Sequence, residues 1–117
     1  MNAWSGRGKV RAREIEGGVE IVIDGITTQA RYYKQLVYEF CRKDFHTRPR
    51  YGEFEVELVM EYVGEAPRLD LDNLAKALLD ALKGHVFFDD SQIARLLCER
   101  VNGERDRISV KAVRREA

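Results

Sequence analysis

The chain contains little cysteine and histidine. Its two cysteines, Cys41 and Cys98, are too few for a disulfide framework, and no CxxC pair indicates zinc binding or thiol redox chemistry. The two histidines, His46 and His85, lie far apart in sequence and outside any HExxH context, so each is expected to be incidental rather than a metal ligand. The sequence therefore predicts no site for a soft metal.

Long hydrophobic runs are also absent. No apolar segment approaches the length of a transmembrane helix, and residues 1–7 lack the apolar stretch of a signal peptide, so we expect a cytoplasmic protein with no membrane partner. With 44% hydrophobic and 34% charged residues among 117, the composition is that of one compact globular domain over residues 1–117.

The chain has no excess of charge of either sign, since 20 basic residues balance 20 acidic ones. This balance argues against binding to nucleic acid by bulk electrostatics alone. Basic residues do concentrate locally, in segments 7–13, 42–50 and 105–115. For any single segment, a solvated surface is the simpler explanation.

Hydrophobic periodicity predicts the elements of the N-terminal half. Strand-like runs at 10–16 and 19–24 flank Gly17-Gly18, which is typical of a β-hairpin. Thr27 or Thr28 can then cap a helix that ends before the loop at 47–50. Its apolar positions follow the i, i+3, i+4, i+7 pattern: Tyr33, Leu36, Val37, Phe40 and Cys41.

Strict alternation of apolar and glutamate residues over 53–63 predicts a strand, and a broad apolar stripe closed by Gly84 predicts a helix over about 71–82. We expect an extended segment at 85–88 and strands at 92–101 and 107–113, joined through Asn102-Gly103. These elements make one α+β domain with a mixed sheet and two principal helices.

Aspartates lie on both sides of the second predicted helix. The helix rises about 18 Å, and residues 84–90 can span up to about 23 Å, so we expect Asp90 to return beside Asp70 and Asp72. Three converging carboxylates resist ionising together unless a divalent cation neutralises them, and oxygen ligands favour Mg²⁺. Lys76, one turn after Asp72, can orient a carboxylate or meet a phosphate.

A simpler explanation accounts for most of the same spacing. Asp72 or Asn73 can cap the helix, Asp72 and Lys76 can form a salt bridge, and residues 89–91 can form a turn. Capping leaves unexplained why aspartates precede the cap and recur where the return segment ends. That surplus favours a metal site without deciding for it.

The quoted residues also resemble a known family. The segment Asp70-Leu71-Asp72-Asn73-Leu74-x-Lys76, followed by Asp80-Ala81-Leu82 and Asp89-Asp90-Ser91-Gln92-Ile93, resembles the RusA-type Holliday-junction resolvases. Arg31-Tyr32-Tyr33 is similar to the tyrosine-containing segment that opens the first helix of that family. The resemblance covers residues 68–93 closely.

The resemblance implies a small α+β homodimer, here with an N-terminal hairpin added, that binds four-way DNA junctions and cuts two opposed strands symmetrically. It implies Mg²⁺ ligands at Asp70, Asp72 and Asp90 and an active-site lysine at Lys76. The side chains expected to contact DNA are Arg31, Lys34, Arg68 and Lys76. The first helix and the exposed edge of the last hairpin are the expected sources of the dimer interface.

Two other functions stay open on the sequence. Fold and metal site do not fix specificity, so the substrate can be another branched DNA or an RNA. The chain can also be a catalytically inactive DNA-binding module of the same fold, whose aspartates serve only as caps and turns.

Overall fold

The computed structural model describes residues 3–116, which form a five-stranded mixed sheet with two helices packed on one face. The α+β prediction is confirmed. A short 3-10 helix, Asp90–Gln92, follows the second helix. The elements are β1 (Val10–Ile15), β2 (Gly18–Asp24), α1 (Ala30–Lys43), β3 (Phe54–Tyr62), α2 (Leu71–Leu82), β4 (Ile93–Asn102) and β5 (Arg107–Arg114).

The sheet has the order β1-β2-β5-β3-β4. All neighbours are antiparallel except β3 and β4, which run parallel from Phe54 opposite Ile93 to Tyr62 opposite Asn102. A parallel pair needs a crossover connection, and α2 provides it. β3 lies between β5 and β4, and β4 forms one edge of the sheet.

The N-terminal hairpin has the predicted strands with a turn one residue earlier than expected. Gly17 adopts a left-handed φ of 80°, whereas Gly18 already belongs to β2. Gly18 is needed for a different reason, because a Cβ there would lie only 1.8 Å from the carbonyl oxygen of Ala112 in β5. The hairpin thus joins the sheet through a close backbone approach.

The helix α1 begins at Ala30 after Gln29, so the predicted cap at Thr27 or Thr28 is wrong. The segment before it is instead fastened by the buried Tyr33, whose hydroxyl accepts a hydrogen bond from the Thr27 amide at 2.8 Å and donates one to the Gly25 carbonyl at 3.2 Å. This pair of bonds ties the end of β2 to the first turns of α1.

The two helices run side by side in the same direction. Lys34 of α1 contacts Asp80, and Tyr38, one turn later, contacts His85, just past the end of α2. Both helices therefore run in the same direction. This follows from topology, because each helix follows one of two strands, β2 and β3, that share a direction in the sheet. The helices cover the face that carries the apolar residues of four strands.

The alternation in β3 separates the core from an open sheet face. Phe54, Val56, Leu58 and Met60 are buried beneath the helices. Glutamates fill the intervening positions except at Val59, and arginines of neighbouring chain segments neutralise part of this row. Its ion pairs within residues 3–116 are Arg95–Glu55 at 3.9 Å, Arg95–Glu57 at 3.4 Å, Arg115–Glu53 at 3.5 Å and Arg115–Glu55 at 2.9 Å.

The extended segment predicted at 85–88 is wrong as a strand of the sheet. Gly84 has φ 86°, and the chain folds into a turn with isolated bridges between Lys83 and Phe87 and between Arg50 and Phe87. Val86 and Phe87 are buried, which explains their apolar character. The strand that completes the crossover is β4.

Neither α1 nor α2 is long and apolar enough to cross a lipid bilayer, and no other helix of residues 3–116 is.

The close approach at Gly18 predicts a selective loss of stability. Gly18→Ala places a methyl group against the β5 backbone and is expected to lower the free energy of unfolding by about 1–3 kcal/mol, as overpacking does. Gly8→Ala is the matched control, since a Cβ there meets nothing within 4 Å and the expected change is within about 0.5 kcal/mol. Urea denaturation of both variants measures the difference, and equal stabilities would contradict the packing at Gly18.

Candidate active site

Two exposed aspartates lie at the start of α2. Asp70 is the residue before the first helical turn, in extended conformation, and its carboxylate makes no capping bond to the backbone. Its Oδ2 accepts a 3.4 Å hydrogen bond from the Asn73 side chain. Asp72 lies in the first turn, where the helix dipole favours a negative charge. The simpler explanation, a cap at Asp72 or Asn73, is therefore wrong: Asp70 holds the N-cap position, and its carboxylate makes no capping hydrogen bond.

Lys76 follows Asp72 by one turn on the same stripe of the helix. The predicted Asp72–Lys76 salt bridge is not among the ion pairs of residues 3–116, so the prediction is wrong. Both exposed side chains border a groove of about 490 Å³ between α2 and β4. Its lining is Leu71, Asp72, Ala75, Lys76, Leu79, Asp90, Leu96 and Cys98.

The groove is mostly apolar with charged groups at its borders. Partial burial raises the pKa of the Cys98 thiol, so this cysteine is a neutral lining residue. Cys41 lies in the core, where burial raises its pKa to about 12. Neither thiol has the lowered pKa of a nucleophile or metal ligand.

Asp90 lies at the opposite end of α2 from Asp70. Its neighbour Asp89 contacts Lys83, just past the helix, with 3.6 Å between Oδ1 and Nζ. Asp90 then opens the 3-10 helix that leads into β4, which starts level with the beginning of β3. From Asp72 to Lys83 the helix rises about 16 Å. The prediction that Asp90 returns beside Asp70 and Asp72 within one chain is therefore wrong.

Parallel topology is the physical reason. β3 leaves the chain at the C-terminal end of the strand, and α2 carries it back to the opposite end of the sheet. A strand parallel to β3 must begin at that opposite end, where β3 began. Accordingly, no three His, Cys, Asp or Glu side chains come together as possible metal ligands within residues 3–116. The groove nevertheless connects the two ends, since Asp72 and Asp90 both border it.

Asp89 acts as a cap. Its carboxylate accepts a 3.0 Å hydrogen bond from the Ser91 amide, and hydrogen bonding from Ser91 and the nearby Lys83 ammonium lower its pKa. The Gln92 side chain completes the reciprocal capping box by accepting from the Asp89 amide. The sequence prediction of a turn at 89–91 is thus refined to a capped 3-10 turn that leaves Asp90 exposed.

The basic residues expected to contact DNA occupy different surroundings. Arg31 is exposed in the first turn of α1, and Arg68 is exposed two residues before Asp70. Lys34 instead contacts Asp80 at 3.7 Å. No pattern in the sequence indicated Arg100, whose guanidinium donates a 3.5 Å hydrogen bond to the Leu69 carbonyl and so lies beside the Asp70 loop.

Comparison with protein families assigns the chain. No curated protein matches it. The family model described as endodeoxyribonuclease RusA matches residues 7–112 of the 117, a region that starts before β1 and ends within β5. The match therefore includes the aspartates on both sides of α2, Lys76 and the groove that connects them. This chain belongs to the RusA endodeoxyribonuclease family.

Proposed function

We propose that this protein is a Mg²⁺-dependent endonuclease that resolves four-way DNA junctions by paired symmetric nicks, and that it acts as a homodimer. The RusA family comprises Holliday-junction resolvase nucleases. The observation that carries the proposal is the exposed Asp70 and Asp72 pair at the start of α2, bordered by Lys76 and not consumed by helix capping. We assign Asp70, Asp72 and Asp90 as metal ligands and Lys76 as the phosphate contact.

The donor set fits a hard divalent cation. Carboxylate oxygens and water are what Mg²⁺ prefers, and such a cation supplies both an activated water and neutralisation of charge on the scissile phosphate. Asp70 and Asp72 present two exposed carboxylates within one helical turn. Lys76 keeps its ammonium out of ion pairs within residues 3–116, so it can hold a phosphate oxygen at the groove.

The exposed edge of β4 supports dimerisation. Leu96, Leu97 and Val101 are 44%, 38% and 36% exposed on an edge strand of ten residues. A long apolar edge is a template for pairing with another strand. The sequence suggested α1 or the exposed edge of the last hairpin as the interface. The two strands of that predicted hairpin do not pair, because β3 lies between β4 and β5, and β5 is covered on both sides by β2 and β3. The free edge of β4 is therefore our proposed interface.

The sequence of β4 is complementary to itself. Antiparallel pairing of two copies centred on Leu97 places Arg95 opposite the partner's Glu99 twice, and Leu96 opposite the partner's Cys98. Opposite charges directly across a strand pair are favourable. Moving the centre to Leu96 or to Cys98 removes the Arg95–Glu99 pairing, so charge selects one register.

The same register would complete the metal site. It places the partner's Gln92 opposite Asn102, and the partner's Asp90 just past the C-terminal end of β4. That end adjoins the chain leading into α2, because Asn102 donates to the Gly64 carbonyl at 3.2 Å and Arg100 to that of Leu69. The partner's Asp90 thus approaches Asp70 and Asp72, and each active site takes carboxylates from both copies.

The nuclease assignment predicts a metal-dependent reaction. The wild-type protein is expected to nick four-way junctions at symmetric positions with Mg²⁺, and Asp70→Asn to abolish cleavage, while Asp44→Asn, an exposed acid at the end of α1, leaves it unchanged. Mg²⁺ at about ten times its Kd should stabilise the wild type by about 1.4 kcal/mol, a shift that Asp70→Ala removes. Cleavage surviving Asp70→Asn would refute the assignment, and preferential cleavage of forks, flaps or RNA would change the substrate.

The shared site predicts complementation between two inactive chains. Asp70→Asn and Asp90→Asn homodimers are both expected to be inactive. A mixed dimer contains one site with both changes and one intact site, because the intact site takes Asp70 from one chain and Asp90 from the other. Mixing should therefore restore single nicks in a junction. If each site lay within one chain, every site in the mixture would carry a change and no activity would return.

Charge reversal at the interface provides the control. Glu99→Arg in the first chain and Arg95→Glu in the second leave like charges opposed in each homodimer and opposite charges paired only in the mixed dimer. Sedimentation should show dimers only after mixing, and the restored nicking should rise with them. Unchanged homodimers of both variants would show that β4 is not the interface.

A further inference from the structure

Two aromatic side chains stack on each other at the surface near Asp90. The rings of Tyr51 and Phe88 lie with centroids 4.3 Å apart and planes 24° apart, and they remain 75% and 42% exposed. Phe88 is two residues before Asp90, a span of at most about 7 Å between Cα atoms. Aromatic surface left in water beside a functional residue is typical of a binding site.

The Gln92 side chain bonds both loops that carry this stack, in addition to the backbone bridge between Arg50 and Phe87. The Gln92 Oε1 accepts hydrogen bonds from the amides of Phe88 at 2.7 Å and Asp89 at 3.0 Å, and its Nε2 donates to the carbonyls of Arg50 and Gly52 at 2.8 Å each. All four bonds flank the stacked residues. The stack is therefore fixed before any ligand arrives, which lowers the entropic cost of binding.

Basic side chains surround the stack. Arg48 and Arg50 precede Tyr51 and are exposed, and the Arg114 side chain passes Gly52, where an added Cβ would lie 3.2 Å from its Cδ. Within residues 3–116 none of these three guanidinium groups forms an ion pair. Asp89, next to Phe88 in sequence, is bonded to Ser91 and Lys83, and Glu53, next to Gly52, pairs with Arg115. The charge around the rings is thus suited to phosphate.

We infer that the Tyr51–Phe88 stack binds an unpaired nucleobase of the DNA substrate, with Arg50 and Arg114 contacting the adjoining phosphates. Flat aromatic rings combined with cations are how proteins hold single-stranded nucleic acid, because every base has a face to stack. Bases in a continuous duplex have both faces covered, so the stack discriminates for nucleotides unstacked at a branch. The inference rests on the proposed function, since it places that base beside Asp90.

Binding of two probes to Asp70→Asn protein without divalent metal tests the inference. One probe is a short duplex, and the other is the same duplex with one unpaired 2-aminopurine. We expect about tenfold tighter binding of the second probe, with quenching of its fluorescence on stacking. Tyr51→Ala should lose this preference while binding the plain duplex as before, and Tyr51→Phe should keep it.

Tyr38→Ala is the matched control, because Tyr38 is 43% exposed and contacts another aromatic ring, His85, but lies on α1. Gln92→Ala should weaken the preference partially by freeing the two loops. Phe88→Ala provides a second removal of the stack, and thermal melting verifies that each variant folds.

The outcomes separate this inference from the proposed function. Equal loss of affinity for both probes in Tyr51→Ala overturns the inference. So does loss of the dimer in Tyr51→Ala, because the rings would then belong to the interface between copies. Junction cleavage that depends on Asp70 but not on Tyr51 leaves the nuclease standing and removes the base-binding role. A Tyr51-dependent preference in a protein that cleaves no junction supports the base-binding role and removes the proposed nuclease function.

Discussion

The parallel pairing of β3 with β4 sets the positions of all the acidic side chains of the site. A parallel strand must start at the same end of the sheet as its neighbour. Helix α2 therefore has to carry the chain back along the full length of β3 before β4 can begin. Asp70 and Asp72, at the start of the helix, and Asp90, which follows it, are thereby held at opposite ends of α2. In the proposed dimer, assembly of two copies, rather than folding of one, would bring a third carboxylate to the pair.

This separation has an energetic consequence. Three carboxylates held together in one chain would repel one another in the absence of a cation and destabilise the fold. Because the three carboxylates are exposed and lie apart, their mutual repulsion destabilises a single copy only slightly. If the site forms only across the β4 edge, metal binding and pairing of copies are linked, and each strengthens the other by the same factor. The metal would then favour the dimer that presents two sites to two strands.

Local patterns in the sequence predicted the elements whose burial is periodic. The alternation of β3 and the apolar stripes of α1 and α2 are confirmed because each reflects one face packed on one core. Segment 85–88 was mistaken for a strand, since buried Val86 and Phe87 look the same in a turn. The order of strands is not written in any local pattern, so the edge position of β4, and with it the location of Asp90, could not be predicted.

The stacked pair Tyr51–Phe88 also escaped prediction, for a related reason. Its two residues come from loops far apart in sequence, which are joined by a backbone bridge between Arg50 and Phe87 and by the Gln92 side chain, which bonds both loops. Neither loop has a period or a motif. Gln92 itself was visible as part of the family resemblance, but its role depends on four backbone groups that only the folded chain brings together.

A chain of zero net charge can still bind DNA if the basic side chains on one surface form ion pairs and those on another do not. On the open sheet face, arginines such as Arg13 and Arg107 are neutralised by Glu20 and Asp24. The guanidinium groups of Arg48, Arg50 and Arg114, which form no ion pair in the described part of the chain, belong instead to the loop that carries Tyr51 or to the strand beside it. If Arg50 and Arg114 contact phosphates as inferred, they would add about −2 to the slope of log affinity against log salt. If the stack holds an unpaired base, discrimination among substrates would depend more on that base and on the two-fold spacing of the proposed sites than on bulk charge.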